Sequence, residues 1–199
     1  MKNTLKFFAA CTVLVCFAFA LPNTNNREIN VVIDAGHGGK DHGAAYGTFT
    51  EKEIVNSIAS KIKAMNTDRD VTIHFTRVSD DFVSLNDRVK AINELHPDLV
   101  LSLHVNFEKG EKASGMEFFA NDKATAYAVH LENKLVRENG YKSRGVKSAP
   151  FYILKNSEAP AISFQMGFLS NDTDRNYLTN TEKQDALAAT VLDFIKELN

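Results

Sequence analysis

Apolar runs of strand length alternate along this chain with segments that carry helix-start signals, and that alternation restricts the fold more than any other feature. Residues 29–34, 71–76, 99–103, 116–120, 151–154 and 161–165 read as strands. Between them, Thr50-x-x-Glu53, Ser84-x-x-Asp87 and Thr181-x-x-Gln184 have the form of capping boxes. They predict helices over 51–65, 85–95 and 181–198, and apolar spacing predicts another over 124–138. In the first box Thr50 is the expected N-cap, with the Glu53 carboxylate folding back to the cap amide. Strands and helices taking turns in this way imply an α/β fold: one domain with a twisted, mostly parallel sheet of about six strands and helices on both faces.

The first residues lie outside that pattern. Residues 1–6 hold Lys2 and Lys6 and no acid, residues 7–19 are almost wholly apolar, and Ala18-Phe19-Ala20 has the form of a cleavage site. Residues 1–20 therefore read as a secretory signal peptide, too short in its apolar part to span a bilayer comfortably. Lipid attachment at Cys11 or Cys16 is the rival reading. Valine precedes Cys16, and the apolar core before Cys11 is too brief, so cleavage after Ala20 is favoured. Residues 21–28 are then a linker, and residues 29–199 the folded domain.

Both cysteines fall in the leader, which excludes disulfides and thiol chemistry from the exported part. Without Lys2 and Lys6, 21 of the 23 basic residues face 25 acidic ones, a net charge of −4. That balance excludes a nucleic-acid binder. A monomer, exported to a periplasm or beyond the cell with no membrane insertion after cleavage, is expected.

In parallel sheets the ligand site lies beyond the carboxyl ends of the strands. His37, within Asp34-Ala35-Gly36-His37-Gly38-Gly39, follows the first strand there; His104 closes the strand at 99–103; Gln165 ends the last strand. Glu51 opens the first helix, at a position free of the capping role expected of Glu53. His37, Glu51 and His104 supply two nitrogens and one oxygen, the ligand set of an open catalytic zinc site that keeps its fourth position for water. One zinc ion there would bring the pKa of water to about 7 and polarise a carbonyl, which suits amide or ester hydrolysis. The remaining histidines have weaker claims. His74 reads as a half-buried strand residue, His96 as solvated, His130 as partnerless, and His42 as an exposed loop residue near the zinc loop. Gly39-Lys40 does not make a phosphate loop, because Asp41 stands where Ser or Thr is needed.

Val31-Val32-Ile33-Asp34-Ala35-Gly36-His37-Gly38-Gly39-Lys40-Asp41 with Glu51-Lys52-Glu53 resembles the zinc-dependent N-acetylmuramoyl-L-alanine amidases of bacterial cell walls, in their type-3 catalytic domain. Thr76-Arg77, Phe82-Val83-Ser84-Leu85 with Arg88, and Leu101-Ser102-Leu103-His104-Val105-Asn106 continue the likeness. So do Ser114-Gly115-Met116-Glu117, Arg144-Gly145-Val146-Lys147, Ala149-Pro150-Phe151-Tyr152 and Gly167-Phe168-Leu169-Ser170-Asn171. The resemblance covers residues 29–198. It implies zinc ligands at His37, Glu51 and His104, and hydrolysis of the amide between N-acetylmuramic acid and L-alanine in peptidoglycan.

Two departures matter. The family's catalytic glutamate corresponds to Gln165, a neutral amide that cannot take a proton from water. Loss of a general base typically slows a reaction about 10²–10⁴-fold. Asp34 and Glu117 are the conceivable substitutes. The alternative is a catalytically impaired homologue that binds zinc and peptidoglycan; a zinc peptidase or deacetylase is a third, weaker reading. Some relatives also carry an insert after the second histidine motif whose helix covers the zinc. Here one strand and one helix fill the space between Gly115 and Arg144, so an open groove is expected.

Overall fold

Leu99, Leu101 and Leu103 face one side of their strand and Val100 the other, and the chain covers both sides. The computed structural model describes residues 27–110 and 112–198. The expected signal peptide, with both cysteines, and most of the expected linker lie outside the described residues. Arg27 and Glu28, placed in the linker by sequence, are tied to the domain: Arg27 pairs with Asp98, and Glu28 accepts from Thr72 Oγ1 at 2.8 Å.

The elements run β1 (Ile29–Ala35), β2 (Ala45–Tyr46), β3 (Phe49–Thr50), α1 (Glu51–Met65), β4 (Val71–Phe75), α2 (Leu85–Leu95), β5 (Leu99–Asn106), β6 (Met116–Ala120), α3 (Thr125–Asn139), β7 (Ser143–Lys147), α4 (Tyr152–Asn156), β8 (Ala161–Phe168), α5 (Asp172–Thr179) and α6 (Thr181–Lys196). A six-stranded sheet has the order β4-β1-β5-β8-β6-β7. Pairing is parallel from β4 through β8, antiparallel between β8 and β6, and parallel again between β6 and β7. The expected mostly parallel sheet of about six strands is therefore present.

Strand alternation divides the core in two. Val31, Ile33, Leu101, Leu103, Phe164 and Phe118 pack against α1, α3 and α6 in the larger cluster. Val32, Val100 and Ala161 face the other way, onto Val89 and Ile92 of α2 and Ile153 and Leu154 of α4. A lone helix the length of α1 is marginal in water. Its stripe of Ile54, Val55, Ile58 and Ile62, all at most 4% exposed, contributes about 1.5–3 kcal/mol per side chain on burial. That stripe seats the start of the helix, and with it Glu51, against the ends of β1 and β5.

Several local expectations change. Residues 151–154 form no strand; Phe151 caps α4. A short apolar run suits either element, and here burial of Ile153 and Leu154 under the sheet decides for the helix. Thr50 is the N-cap of α1, but its hydroxyl donates to Glu53 Oε2 at 2.7 Å and its side chain caps no amide. Thr50 pairs with Ala45 in the β2–β3 ribbon, which commits its backbone to the ladder. The cap of α6 is Asn180, one residue before the expected Thr181. Strand β7 and helix α5 are too polar to have an apolar period.

Candidate metal centre

His37 sits on the loop leaving β1 with φ 58°, a left-handed conformation rare for a residue with a Cβ. Two buried arginines hold it there. Arg77 donates to the carbonyls of Ala35 (2.9 Å) and Gly36 (3.0 Å). Arg88 donates to those of Ala35 (2.6 Å) and His37 (2.6 Å), and to Asp34 Oδ1 (2.8 Å). Three consecutive carbonyls are thus gripped by guanidinium groups. Gly36 is required by close approach, since a Cβ there would lie 2.5 Å from His104 Cε1.

Asp34, beneath this loop, is 1% exposed. Burial alone would push its carboxyl up; the Arg88 charge and hydrogen bonds from Ser102, Thr76 and Arg88 outweigh it and hold the group below the ordinary aspartate value.

Glu51 projects from the first residue of α1 into the space between the two histidines. Its Oε1 lies 3.1 Å from His37 Nε2 and 2.9 Å from His104 Nδ1. The backbone N–H of Val105 donates to the same oxygen at 2.9 Å, and that of Ala44 to Oε2 at 2.9 Å. Donor atoms of His37, Glu51 and His104 all fall within 4.8 Å of one another. Tetrahedral zinc with bonds near 2.0–2.2 Å places its ligands about 3.3 Å apart. The donor set and its spacing therefore fit a metal ion.

Burial opposes charge on Glu51, yet the two imidazoles keep its carboxyl far below the usual range. Burial likewise lowers the basicity of His37, and the carboxylates of Glu51 and Asp41 more than restore it. Asp41 Oδ2 stands 2.9 Å from His37 Nδ1, which directs Nε2 at Glu51. A carboxylate behind a metal-facing imidazole fixes both ring orientation and tautomer. Sequence reasoning assigned Asp41 no such role; its signal was the four-residue spacing from His37 in a glycine-rich loop.

A cleft of about 790 Å³ opens over these groups. The side chains of His37 and His104 are 23% and 24% exposed, so a ligand reaches them. No described residue between Phe107 and Phe151 lines the cleft, in keeping with the expected open groove.

Gln165 also lines it, beside His104 in the β5–β8 register. The Gln165 amide makes one long bond, donating to Ser163 Oγ at 3.4 Å. Neither carboxylate named as a substitute base is free. Asp34 is held by Ser102, Thr76 and Arg88; Glu117 accepts from Asn106, Arg144 and Lys147. The other histidines stand apart from the centre. His42 and His96 are exposed, His74 is half-buried, and His130, expected to be partnerless, bonds Glu197 at 2.8 Å.

A family model described as N-acetylmuramoyl-L-alanine amidase matches residues 31–197. The chain belongs to that family. Among its relatives, the sporulation-specific N-acetylmuramoyl-L-alanine amidase of Bacillus subtilis strain 168 is 32% identical over 166 residues, covering 80% of this chain and 64% of the relative. The endolysin of Bacillus phage SPP1 is 36% identical over 151 residues, covering 71% and 55%. This amidase-family chain thus spans less than two thirds of the length of both. Among solved structures, the catalytic domain of CwlV, an N-acetylmuramoyl-L-alanine amidase from Bacillus (Paenibacillus) polymyxa var. colistinus, superposes with a TM-score of 0.81 at 28% identity. The match covers 85% of this chain and 97% of that domain. The α/β sheet described above is the fold of these amidase catalytic domains.

Proposed function

We propose that the protein acts on peptidoglycan outside the cytoplasm as a zinc-dependent hydrolase of the amide between N-acetylmuramic acid and L-alanine. His37, Glu51 and His104 would hold one zinc ion. The observation that carries this reading is the convergence of those three donors at the mouth of an open cleft, in a chain of the amidase family. When bound, the ion supplies Lewis acidity toward the scissile carbonyl and makes water acidic enough to react near neutrality.

The chain's own residues do the rest. Asp41 holds the His37 ring through Nδ1. The amides of Ala44 and Val105 fix both oxygens of Glu51, so the ligand set is preorganised. Arg77 and Arg88 keep the His37 loop in its left-handed turn. Gln165, next to His104 on the cleft floor, offers an amide donor and acceptor to the substrate.

The neutrality of Gln165, together with the engagement of Asp34 and Glu117, favours a second reading: a protein that retains the metal and grips peptidoglycan while cutting slowly or not at all. Dye release from labelled cell walls by the zinc-loaded protein, beside Gln165→Glu, separates the two. Negligible native release with a gain of about 10²–10⁴-fold in the variant places proton transfer at this position and supports the binding role. Brisk native release, with a new amino-terminal L-alanine among the products, supports the amidase. A zinc-loaded protein that neither cuts nor binds cell walls refutes both.

A further inference from the structure

The second residue of α1 is one that the helix itself opposes. Glu51 and Lys52 open the helix, whose N-terminus favours acids and disfavours cations. Lys52 is also only 8% exposed, so its ammonium has given up most of its water. Helix stability alone would place an acid or a neutral residue there. What Lys52 meets accounts for its presence. Its Nζ donates to the Gly39 carbonyl at 2.8 Å and to Asp80 Oδ2 at 2.7 Å. Asp80 Oδ1 in turn accepts from the Gly39 N–H at 2.9 Å. Both backbone groups of one residue in the His37 loop are thereby closed into a ring with an ion pair.

Gly39 lies where that grip has leverage. The Gly38 N–H donates to the Asp41 carbonyl at 2.9 Å and the Asp41 N–H to the Gly38 carbonyl at 3.1 Å, which makes a tight turn with Gly39 inside it. Gly39 takes φ 56°, and a Cβ there would lie 2.8 Å from the Phe82 nitrogen. Past the turn, the Lys52 backbone N–H donates to the His42 carbonyl at 3.3 Å. Lys52 thus holds the chain on both sides of Asp41, and Asp41 Oδ2 is the group behind the His37 ring. One helix start therefore supplies Glu51 to the metal centre and, through Lys52, supports the loop that supplies His37.

We propose that Lys52 and Asp80 are positioning residues for metal binding: their ion pair sets the Gly38–Asp41 turn so that Asp41 holds the His37 ring toward the ion. This rests on the metal reading above. The pair offers no ligand of its own and acts through Asp41. The sign of the effect separates positioning from simple charge. Lys52 is a cation near the site of a divalent cation, so by charge alone its removal strengthens zinc binding. By positioning, its removal weakens it.

The test is chromophoric-chelator competition for zinc, beside urea unfolding of the metal-free protein, for the native chain, Lys52→Met and Asp80→Ala. Both are run in 1 M sodium nitrate, where a Debye length of about 3 Å mutes through-space charge. Each variant is expected to bind zinc about tenfold more weakly, the lower end of the range for groups behind a metal ligand. In an Asp41→Asn background, Lys52→Met should add less than about twofold, because residues acting through one contact are not additive. Unchanged or tighter zinc binding in Lys52→Met overturns the proposal, whatever stability is lost. Should Lys52→Met fail to fold, Asp80→Ala decides: its side chain is 59% exposed, and native affinity in that variant overturns the proposal. A full tenfold loss on top of Asp41→Asn overturns the route through Asp41. A native protein that binds no zinc overturns the metal reading and the positioning role together.

Discussion

Arg88→Met would remove the cation on which the His37 loop is built. Arg88 is 3% exposed, and its guanidinium reaches Asp34 Oδ1, Thr76 Oγ1 and the carbonyls of Val83, Ala35 and His37. Its loss strands the Asp34 carboxylate, 1% exposed, with only the hydroxyls of Ser102 and Thr76 for support. Breaking a buried ion pair from one side destabilises by about 3–5 kcal/mol, a large share of the roughly 5–15 kcal/mol expected for a domain. In Asp34→Asn/Arg88→Met the stranded charge is gone. Its loss should shrink to the roughly 1–3 kcal/mol of unsatisfied polar groups. Urea unfolding of metal-free protein at pH 7 measures both variants against the native chain. Chelator competition on the same samples should show zinc binding weakened about 10–100-fold in the single variant, because His37 is no longer held. A single variant within 1 kcal/mol of native, or a double variant no more stable than the single, would refute the argument that Arg88 compensates Asp34.

Three further outcomes follow from the same geometry. Asp41→Asn should weaken zinc binding about 10–100-fold, with little change in metal-free stability because Asp41 is 46% exposed; native affinity in a chromophoric-chelator titration would remove Asp41 from its orienting role. Gly36→Ala forces a Cβ to within 2.8 Å of the Leu103 carbonyl and 2.5 Å of the His104 ring, so it should destabilise by about 1–3 kcal/mol and displace His104, read by thermal unfolding and metal titration. The Asp34 carboxyl is depressed in the fold, so its stabilisation is present above the ordinary aspartate value near 4 and is lost as pH falls through its lowered one. The stability gap between native protein and Asp34→Asn should therefore be full at pH 7, begin to narrow below about pH 4, and go on narrowing as pH falls through the lowered value.

Local order alone determined that strands and helices alternate, and that His37 follows β1. It also determined that Glu51 is the first residue of α1, where apolar burial on the rest of that helix leaves it directed at the strand ends. Those features depend on neighbours a few residues apart, which a sequence displays. Tertiary structure decided what depends on register and packing. It turned residues 151–154 into the cap and first turn of α4 by burying Ile153 and Leu154. Asp41 came to stand behind His37, and Asp34 and Glu117 were engaged by hydrogen-bond and ion-pair partners up to 68 residues away. Sheet pairing set Gln165 between His104 and Glu117, and one slipped position in β7 turned Arg144 and Lys147 onto the same carboxylate. A strand's residue types do not encode its partner's register; that is set only when both faces of the sheet are packed, because a shift of one residue would turn every side chain to the opposite face.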